Sequence, residues 1–362
     1  MNIRLKKGNI ISILSTDKDI TIANVKLADR ELRVINHNLL TGPISLGDEV
    51  LVNTTAVELE LGSGGEGFVA INLDHPEVAT YGGGHIMKLR YTPAQFCVAS
   101  IEEQGSDFHE GLKGFKDLGG LPVVIGELHS QLYACIIGIK SKSPNAKIIY
   151  MMTDGAALPI AHSRTVKELK RRDLISETIT TGHAFGGDIE AVNIYSGLQA
   201  AKVVSKADIV VAIMGPGIVG TGTTLGFSGI EQAQIVNAVI SLGGRAIAIP
   251  RISFKDKRER HYGLSHHTLT SLGMATLGRA TIAFPNLKGD LSKTLMDQVE
   301  SSGLLDKHDV EKFDATLIID ELKGIESGAT TMGRGIDEEP EFFMAAGSAG
   351  ICAAGMLEFD DR

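Results

Sequence analysis

Residues 208–229, DIVVAIMGPGIVGTGTTLGFSG, decide the fold of this chain of 362 residues. The first seven letters predict a β-strand buried on both faces, because six consecutive apolar residues follow Asp208. A loop rich in glycine and threonine comes next, and Ser228-Gly229-Ile230-Glu231 then predicts a capping box that starts a helix. A buried strand, a loop and a helix in succession form the repeating unit of a parallel sheet with helices on both faces.

The same unit recurs along most of the chain. Apolar runs predict strands over residues 121–126, 147–153, 177–181, 208–214, 245–250, 281–284 and 315–320. The stretches between them predict helices over residues 128–139, 159–171, 189–203, 229–242, 265–276 and 291–302. We therefore predict an α/β fold, with a doubly wound and mostly parallel sheet, for residues 91–362.

Residues 1–90 have a different pattern. Short β-branched runs at residues 8–14, 20–26, 31–35 and 49–52 predict a small all-β domain of the barrel or sandwich type. Barrels of this kind bind oligonucleotides in many proteins, but no row of aromatic or lysine residues supports that use here. We expect this domain to serve packing or the formation of a homodimer.

The formal charge of −9 is concentrated at the end of the chain. Residues 306–362 contain 14 acidic and 5 basic side chains, so the preceding residues sum to zero. A neutral body exerts no general attraction on phosphate backbones, and we therefore expect no nucleic-acid partner. A local basic patch could still bind one anionic ligand.

Cysteine usage and hydropathy favour a cytoplasmic protein. The three cysteines, Cys97, Cys135 and Cys352, form no CxxC pair and are typical of a reducing compartment. The N-terminal apolar run lacks a cleavage site of small residues, so we expect no signal peptide. Residues 342–357 form the longest apolar run, which is shorter than the roughly 20 residues of a membrane span, so we expect no membrane partner.

Candidate functional residues follow from the predicted sheet, because ligands of open parallel sheets bind at the carboxyl ends of the strands. The candidates for acid–base catalysis are Asp154, His183, His266 and His267. The candidates for ligand binding are Glu127, His129, Gly155, Gly186, Gly187, Asp188, Gly215, Gly217, Gly220, Thr221, Gly222, Thr223, Arg251 and Ser253. Asp154 also suits an ordinary Asp-Gly turn, and Asp188 also suits the N-cap of the helix predicted from Ile189.

The glycine–threonine loop, residues 215–224, formally matches the dinucleotide-binding pattern GxGxxG. Three departures argue against a nicotinamide cofactor. Pro216 lacks an amide donor, the predicted helix begins eight residues after the third glycine, and Arg251 stands where a ribose-binding acid is expected. Two interpretations stay open: the loop amides hold an anion with the help of Arg251, or the loop is a tight structural turn.

Eleven histidines suggest a search for metal ligands, but the spacings do not support a metal site. The sequence has no HExxH motif and no cluster of cysteine and histidine. His266 and His267 are adjacent, so their side chains are expected to diverge on a helix or a strand. We therefore predict no metal ligands, and the sequence leaves any cofactor unknown.

The C-terminal segment predicts a thin helix. Acidic residues 337–339 precede Pro340, which suits the start of a helix, and alanine and glycine dominate the following turns. Such a helix packs very close to a neighbour. The neighbour belongs either to the same chain or to the second copy in a dimer.

Five motifs are distributed over the chain. They are NTTAVEL at residues 53–59 with LGSGG at 61–65, GHIMKLRYTP at 84–93, MTDGAALP at 152–159, GHAFGGD at 182–188 and SHHTLT at 265–270. Together they resemble the bacterial domain-of-unknown-function family numbered 3866 over nearly the whole chain, with Ser63 in a position where that family has threonine. The family has no established activity, so the resemblance implies nothing about mechanism.

The sequence thus predicts a cytoplasmic protein that binds a small anionic metabolite at the carboxyl edge of a parallel sheet. It leaves open whether the protein is an enzyme. The alternative is a non-catalytic ligand sensor or a scaffold whose β-domain or thin C-terminal helix contacts another protein.

Overall fold

The structure is a computed structural model that describes residues 2–62, 64–79, 82–325 and 329–360. Ser63, part of one of the five motifs, lies outside the described residues. The chain divides into two compact units, one of Met1–Gly83 with Leu89–Cys97 and one of Gly84–Lys88 with Val98–Arg362. We name them the barrel unit and the α/β unit.

The barrel unit confirms the predicted all-β domain. Its strands are β1 (Leu5–Thr16), β2 (Ile20–Leu27), β3 (Glu31–His37), β4 (Glu49–Asn53) and β5 (Gly67–Asn72), with the short helices α1 (Asn38–Thr41) and α2 (Thr55–Glu58). They close into a barrel in the order β1-β2-β3-β5-β4, in which β3 and β5 are parallel and the other neighbours are antiparallel. Alternate side chains such as Ala23 and Val25 point inward and fill the core.

A single eight-stranded parallel sheet organises the α/β unit. The strands after the barrel are β6 (Ile86–Lys88), β7 (Phe96–Val98), β8 (Pro122–Ile125), β9 (Ile148–Met152), β10 (Glu177–Thr181), β11 (Ile189–Ala191), β12 (Ile209–Ala212), β13 (Arg245–Ala248), β14 (Ile252–Ser253), β15 (Gly263–Leu264), β16 (Thr281–Pro285), β17 (Asp309–Phe313), β18 (Thr330–Thr331) and β19 (Arg334–Gly335). The sheet has the order β11-β10-β9-β12-β8-β13-β16-β17, and all seven neighbouring pairs are parallel. The predicted α/β architecture is therefore confirmed.

Helices cover both faces of this sheet. They are α3 (His109–Lys113), α4 (Leu132–Lys142), α5 (Arg164–Arg171), α6 (Ile194–Val203), α7 (Glu231–Ser241), α8 (His266–Thr268), α9 (Gly289–Ser301), α10 (Leu304–Lys307), α11 (Thr316–Lys323) and α12 (Pro340–Asp360), with a π-helical turn at Leu269–Ala275. One buried core joins α4, α5, α11 and α12 to one face, and a second joins α6, α7 and α9 to the other. Neighbouring residues of one strand alternate between the cores, as Val123 and Val124 do.

Two predicted elements at the ends of the sheet are wrong. Residues 316–320, predicted with Ala315 as a strand, belong to α11, and the last strand of the sheet is β17. Ala315, Ile318 and Leu322 are buried while Leu317 is exposed, which is the spacing of a helix. The helix predicted from Ile189 begins at Ile194 instead, because residues 189–191 extend the sheet as β11.

The thin helix α12 packs within the chain. A Cβ added at Gly138 of α4 would lie 2.2 Å from the carbonyl oxygen of Gly347, and one at Gly350 would lie 2.1 Å from that of Cys135. Among the described residues α12 is also the helix that is long and apolar enough to span a membrane, over Pro340–Leu357, with 67% of that window buried in the protein. A buried core helix passes the same test of length and composition.

The order of the strands creates crevices on both sides of β8. The connection from β8 passes through α4 to β9, and that from β12 passes through α7 to β13. The two helices lie on opposite faces, so the loops that follow β8 and its neighbours diverge at the carboxyl edge. Ligands of open α/β sheets bind at such points.

Candidate functional site

A buried ion pair links the carboxyl ends of β8 and β13. Glu127 follows β8 and is fully buried, and Arg251 follows β13 with 5% of its surface exposed. Arg251 Nη1 donates to Glu127 Oε1 at 3.3 Å, and His267 Nδ1 lies 3.0 Å from the same oxygen. The second oxygen, Glu127 Oε2, is buried without a hydrogen-bond partner among the described residues. A buried charge with spare acceptor capacity is costly for stability and is therefore expected at functional sites.

Local hydrogen bonds fix these two strand ends. Gln131 Oε1 accepts from the backbone N–H groups of Glu127 and Leu128, at 2.9 and 3.0 Å. Gln232 Nε2, from α7, donates to the carbonyl groups of Ile125 and Ile249 at 3.0 and 2.9 Å. The backbone from which Glu127 and Arg251 project is consequently held by side chains from α7 and from the turn before α4.

A short ribbon brings three histidines back to Arg251. Strands β14 and β15 pair antiparallel, and the following Ser265 N–H donates to the carbonyl of Arg251. The side chain of Ser265 accepts from His267 N at 3.2 Å and lies 2.7 Å from His261 Nδ1. Gly263 has φ +73°, and a Cβ there would lie 2.2 Å from Gln298 Oε1, so this position favours glycine.

His261, His266 and His267 form a compact cluster, which we name the histidine cluster. The ring centroids of the three pairs are 4.5 to 4.9 Å apart. The expectation that the adjacent His266 and His267 diverge is wrong, because both side chains turn toward His261 at the start of α8. Phe227 stacks on His267 with ring centroids 3.8 Å apart.

The surroundings of two rings of the histidine cluster, those of His261 and His266, favour the neutral form. Burial, together with the charges of Arg251 and Arg258, lowers the pKa of His261 to about 3. Burial and the neighbouring His267 also lower the pKa of His266. Neutral imidazoles keep one ring nitrogen available as an electron-pair donor.

A second acidic centre lies at the end of β9. Glu231, at the start of α7, is 8% exposed, and Thr153 Oγ1 donates to its Oε2 at 2.6 Å. Burial, reinforced by the charge of Asp154, raises the pKa of Glu231 to about 7. A Cβ added at Gly155 would lie 2.7 Å from Glu231 Oε2, so Gly155 gives this carboxyl its room. Asp154 Oδ2 accepts from His183 N at 2.9 Å, which places the turns after β9 and β10 side by side.

The predicted capping box at Ser228 is wrong, and this error concealed Glu231. Residues Ser228–Ile230 form a 3-10 turn, and Ser228 N donates to the carbonyl of Val219. The Ser228 hydroxyl accepts from Val219 N at 3.1 Å, so it supports the glycine–threonine loop. The Glu231 side chain therefore does not return to the backbone of Ser228, as a capping box requires. It accepts a hydrogen bond from Thr153 instead.

The glycine–threonine loop forms an exposed hairpin above the histidine cluster. Gly220 pairs with Phe227, and Thr221 N donates to the carbonyl of Gly226 at 2.8 Å. A Cβ at Gly220 would lie 3.8 Å from His267 Nε2, and one at Gly222 would lie 3.8 Å from the guanidinium of Arg260. Gly217 and Gly222 have φ of +108° and +80°, which explains glycine at these two positions. Thr223 Oγ1 accepts from Gly226 N and so closes the tip.

A network of charges continues from Arg251 to the start of α12. Ser253 Oγ donates to Glu339 Oε1 at 2.8 Å, and Arg334 Nε donates to the same oxygen at 2.5 Å. Asp256 accepts two hydrogen bonds from Arg258, which hold the pKa of its carboxyl well below its usual range. Glu339 is fully buried, and its Oε2 has no hydrogen-bond partner among the described residues.

Two other predicted site residues, His129 and Asp188, form hydrogen bonds with neighbouring groups. His129 has both ring nitrogens engaged, with Nε2 at 2.7 Å from Ser163 Oγ and Nδ1 at 3.2 Å from the Met214 carbonyl, and burial lowers its pKa to about 4. The predicted N-cap role of Asp188 is wrong, because its carboxylate accepts from Lys170 and Thr178 while Asn193 caps α6.

The predicted glycines outside the loop tip also have structural partners. Gly186 N donates to Glu190 Oε1 at 2.7 Å, and Gly187 N donates to Thr180 Oγ1 at 3.1 Å. A Cβ at Gly215 would lie 2.4 Å from the Ala157 carbonyl. These glycines allow close approach of the turns after β9, β10 and β12.

Four residues of the site escaped prediction: Glu231, His261, Asp256 and Glu339. Glu231 and Glu339 lie at helix starts, where an acidic residue has the simpler explanation of favourable interaction with the helix dipole. His261 and Asp256 lie in a basic loop that is typical of solvated surface. The doublet His266-His267 close after His261 was the one available signal, and only the ribbon of β14 and β15 brings the three together.

Comparisons with known proteins address the family and not the site. The comparison with curated proteins found no match. The model of the family described as "Protein of unknown function (DUF3866)" matches residues 33–350, which confirms the resemblance indicated by the five motifs. Because this match covers most of the chain, the chain belongs to the DUF3866 family.

Proposed function

We propose that the protein binds a small anionic metabolite at the carboxyl ends of β8, β9, β12 and β13 and acts on it as an enzyme. One observation carries the proposal: Glu231 is a buried carboxyl whose pKa of about 7 suits it to exchange protons at neutral pH. It lies beside Asp154 at the edge of the sheet where ligands bind. Buried carboxyls with raised pKa values occur preferentially at active sites.

The anionic character of the ligand is inferred from the loop tip. The N–H groups of Gly222, Thr223 and Thr224 have no hydrogen-bond acceptor among the described residues, and these three residues are exposed. Arg260 lies next to Gly222 and is exposed. Successive free amides beside a guanidinium suit a phosphate or a carboxylate. Arg251 is buried against Glu127, so we assign the direct contact to Arg260 and a supporting role to Arg251.

The acid–base roles are divided between two carboxyls. Glu231 would carry the proton that is transferred, because its protonated form is stabilised by burial. Asp154, which is fixed by the N–H of His183, would be the second carboxyl of the pair. His183 follows directly and is the candidate for a second proton carrier. A cytoplasmic location and a homodimer stay predictions.

Thermal-shift screening against phosphorylated and carboxylated metabolites tests ligand binding. We expect stabilisation of the wild type by at least one anionic compound and a roughly tenfold weaker affinity for Arg260→Ala, since one charge-assisted hydrogen bond is lost. Arg279→Ala is the matched control, because Arg279 is an exposed arginine that pairs with Asp309 away from the site. No stabilising anion, or equal weakening by both variants, would contradict the proposed binding site.

Turnover of the compound found in the screen tests catalysis. We expect Glu231→Gln to retain binding and to lower kcat by roughly 100- to 10,000-fold, the contribution of one general acid–base group. A bound compound that the wild type leaves unchanged would overturn the enzymatic proposal and support the ligand sensor. The packing of Gly347 and Gly350 of α12 against α4 supports the enzyme over a scaffold that uses this helix.

A further inference from the structure

The histidine cluster offers three ring nitrogens to one point in space. One nitrogen each of His261, His266 and His267 lies within 4.8 Å of the corresponding nitrogens of the other two. Among the described residues this is the group of histidine, cysteine and acidic side chains that could hold a metal ion. Zn–N distances of about 2.0–2.1 Å place tetrahedral ligand atoms roughly 3.3 Å apart, so the rings need a closure of about 1.5 Å at most.

Hydrogen bonds select the nitrogen that each ring presents. His267 Nδ1 faces Glu127 Oε1 at 3.0 Å and His261 Nδ1 faces Ser265 Oγ at 2.7 Å. A proton on each Nδ1 satisfies these oxygens and leaves Nε2 as an electron-pair donor. Arg251 Nη1, 3.2 Å from His267 Nδ1, is then a second donor directed at the same carboxylate.

His266 supplies the independent observation. Its Nε2 is buried and has no hydrogen-bond partner among the described residues. A buried ring nitrogen without a partner loses the hydrogen bond it would make in water. A metal ion shared with His261 and His267 would remove that cost.

The surroundings have the features of a metal centre with an accessible position. A carboxylate that orients a histidine, as Glu127 orients His267, is the usual arrangement around metal-binding histidines. The π-helical turn Leu269–Ala275 follows the cluster directly, and such turns recur at functional sites. On the remaining side, the exposed Gly220 faces His267 Nε2 and leaves room for a water molecule or a ligand.

We propose that His261, His266 and His267 bind one divalent transition-metal ion, Zn²⁺ foremost, through their Nε2 atoms. Three imidazoles form a donor set suited to Zn²⁺, and a three-histidine site with a further open position is the arrangement of catalytic zinc. The open position faces the glycine–threonine loop. A bound ion would there act as a Lewis acid toward an anion held by that loop.

Metal titration of untagged, chelator-treated, full-length protein tests the proposal without any metabolite. We expect one Zn²⁺ per chain in competition with a chromophoric chelator, and one Co²⁺ with the intense visible absorption of a four- or five-coordinate ion. His266→Ala should weaken Zn²⁺ affinity at least about 100-fold, and Glu127→Gln should weaken it roughly 10- to 100-fold through loss of orientation. His75→Ala, which removes an exposed histidine of the barrel unit, should bind as the wild type does.

The outcomes separate this inference from the proposed function. His266 Nε2 has no hydrogen bond to lose among the described residues, so we expect His266→Ala to fold, and circular dichroism tests this. Failure of the wild type to bind Zn²⁺ or Co²⁺, or wild-type affinity in His266→Ala, would overturn the metal site and leave the metabolite screen unaffected. Retained metal with no anionic ligand would instead leave the metal site standing and remove the proposed function.

Discussion

The amino end and the carboxyl end of the parallel sheet differ in where their charged side chains lie. The amino end has a cavity of about 530 Å³ whose lining contains two ionisable side chains, Lys202 and Asp208. Asp208 accepts from the Lys147 N–H there, and Arg245 donates to the Gly120 carbonyl. The carboxyl end instead buries the Glu127–Arg251 ion pair, and Glu127 Oε2 has no hydrogen-bond partner among the described residues. At the amino end the unpartnered Glu177 Oε2 belongs to a side chain that is 35% exposed. This contrast is the reason why the carboxyl end, and not the cavity, is the candidate site.

The largest expected effect contrasts the arginines at the two ends of β13. Arg251→Met should destabilise the protein by about 3–5 kcal/mol, because it leaves the buried Glu127 charge without its partner. Arg245→Met should cost about 1 kcal/mol, since Arg245 is half-buried and donates to a neutral carbonyl. Urea denaturation at pH 7 measures both.

A double variant separates loss of charge pairing from loss of packing. Glu127→Gln combined with Arg251→Met removes both charges, so it should recover part of the stability lost in Arg251→Met alone. Equal losses of stability in Arg251→Met and Arg245→Met, or no recovery in the double variant, would show that the buried ion pair at the carboxyl end has no special effect on stability.

The next effect concerns the pH dependence of stability. Burial raises the pKa of Glu231 from 4.5 to about 7, so between these values the unfolded chain releases the proton while the folded chain retains it. Stability should therefore fall as the pH rises through this window, by about 3 kcal/mol in total. This stabilisation is fully present at pH values below 4.5, the pKa of Glu231 in the unfolded chain.

The variant Glu231→Gln isolates the contribution of this carboxyl to the pH dependence of stability. The free energy of unfolding of Glu231→Gln relative to the wild type should increase by about 3 kcal/mol between pH 4.5 and pH 8. A constant difference between wild type and Glu231→Gln over this range would mean that Glu231 is not protonated near neutral pH.

Sequence reasoning located the fold and the edge of the sheet but not the contacts within that edge. Runs such as residues 208–214 predict buried strands because apolar residues dominate over a whole element. The topological rule then places Glu127, Asp154 and Arg251 at one edge. These predictions depend on periodicity and chain order, which the sequence contains.

The remaining features depend on tertiary geometry that local patterns do not encode. Glu231 matched a capping box three residues after Ser228, but Thr153, which follows the distant strand β9, provides its hydrogen bond. His266 and His267 converge with His261 because of a ribbon two residues long on each side. Local preference assigned residues 315–320 to a strand, while packing against the core made them helical.

The third prediction tests helix α12, which connects the two ends of the sheet. Helix α12 runs from the charged network at Glu339 to Leu357, which lines the cavity at the amino end. Gly350→Ala should destabilise the protein by about 1–3 kcal/mol, because its Cβ would lie 2.1 Å from the Cys135 carbonyl and push α12 from α4. Gly355→Ala, in the same helix with open space around it, should gain up to about 1 kcal/mol from helix propensity. Thermal denaturation of the pair measures the difference, and equal melting temperatures would contradict the close packing.

The smallest expected effect decides whether the cavity at the amino end is a binding site. Lys202 is its one basic side chain, so an anion bound in the cavity would depend on it. If the charged carboxyl end binds the metabolite, Lys202→Ala should change stability by less than about 0.5 kcal/mol and should leave the ligand-induced thermal shift unchanged. Arg260→Ala should reduce that shift in the same experiment. The reverse result, with the thermal shift lost in Lys202→Ala and kept in Arg260→Ala, would assign the ligand to the cavity at the amino end. The buried charges of Glu127, Arg251 and Glu231 would then require a structural explanation, although their cost to stability makes such an explanation harder to give than a functional one.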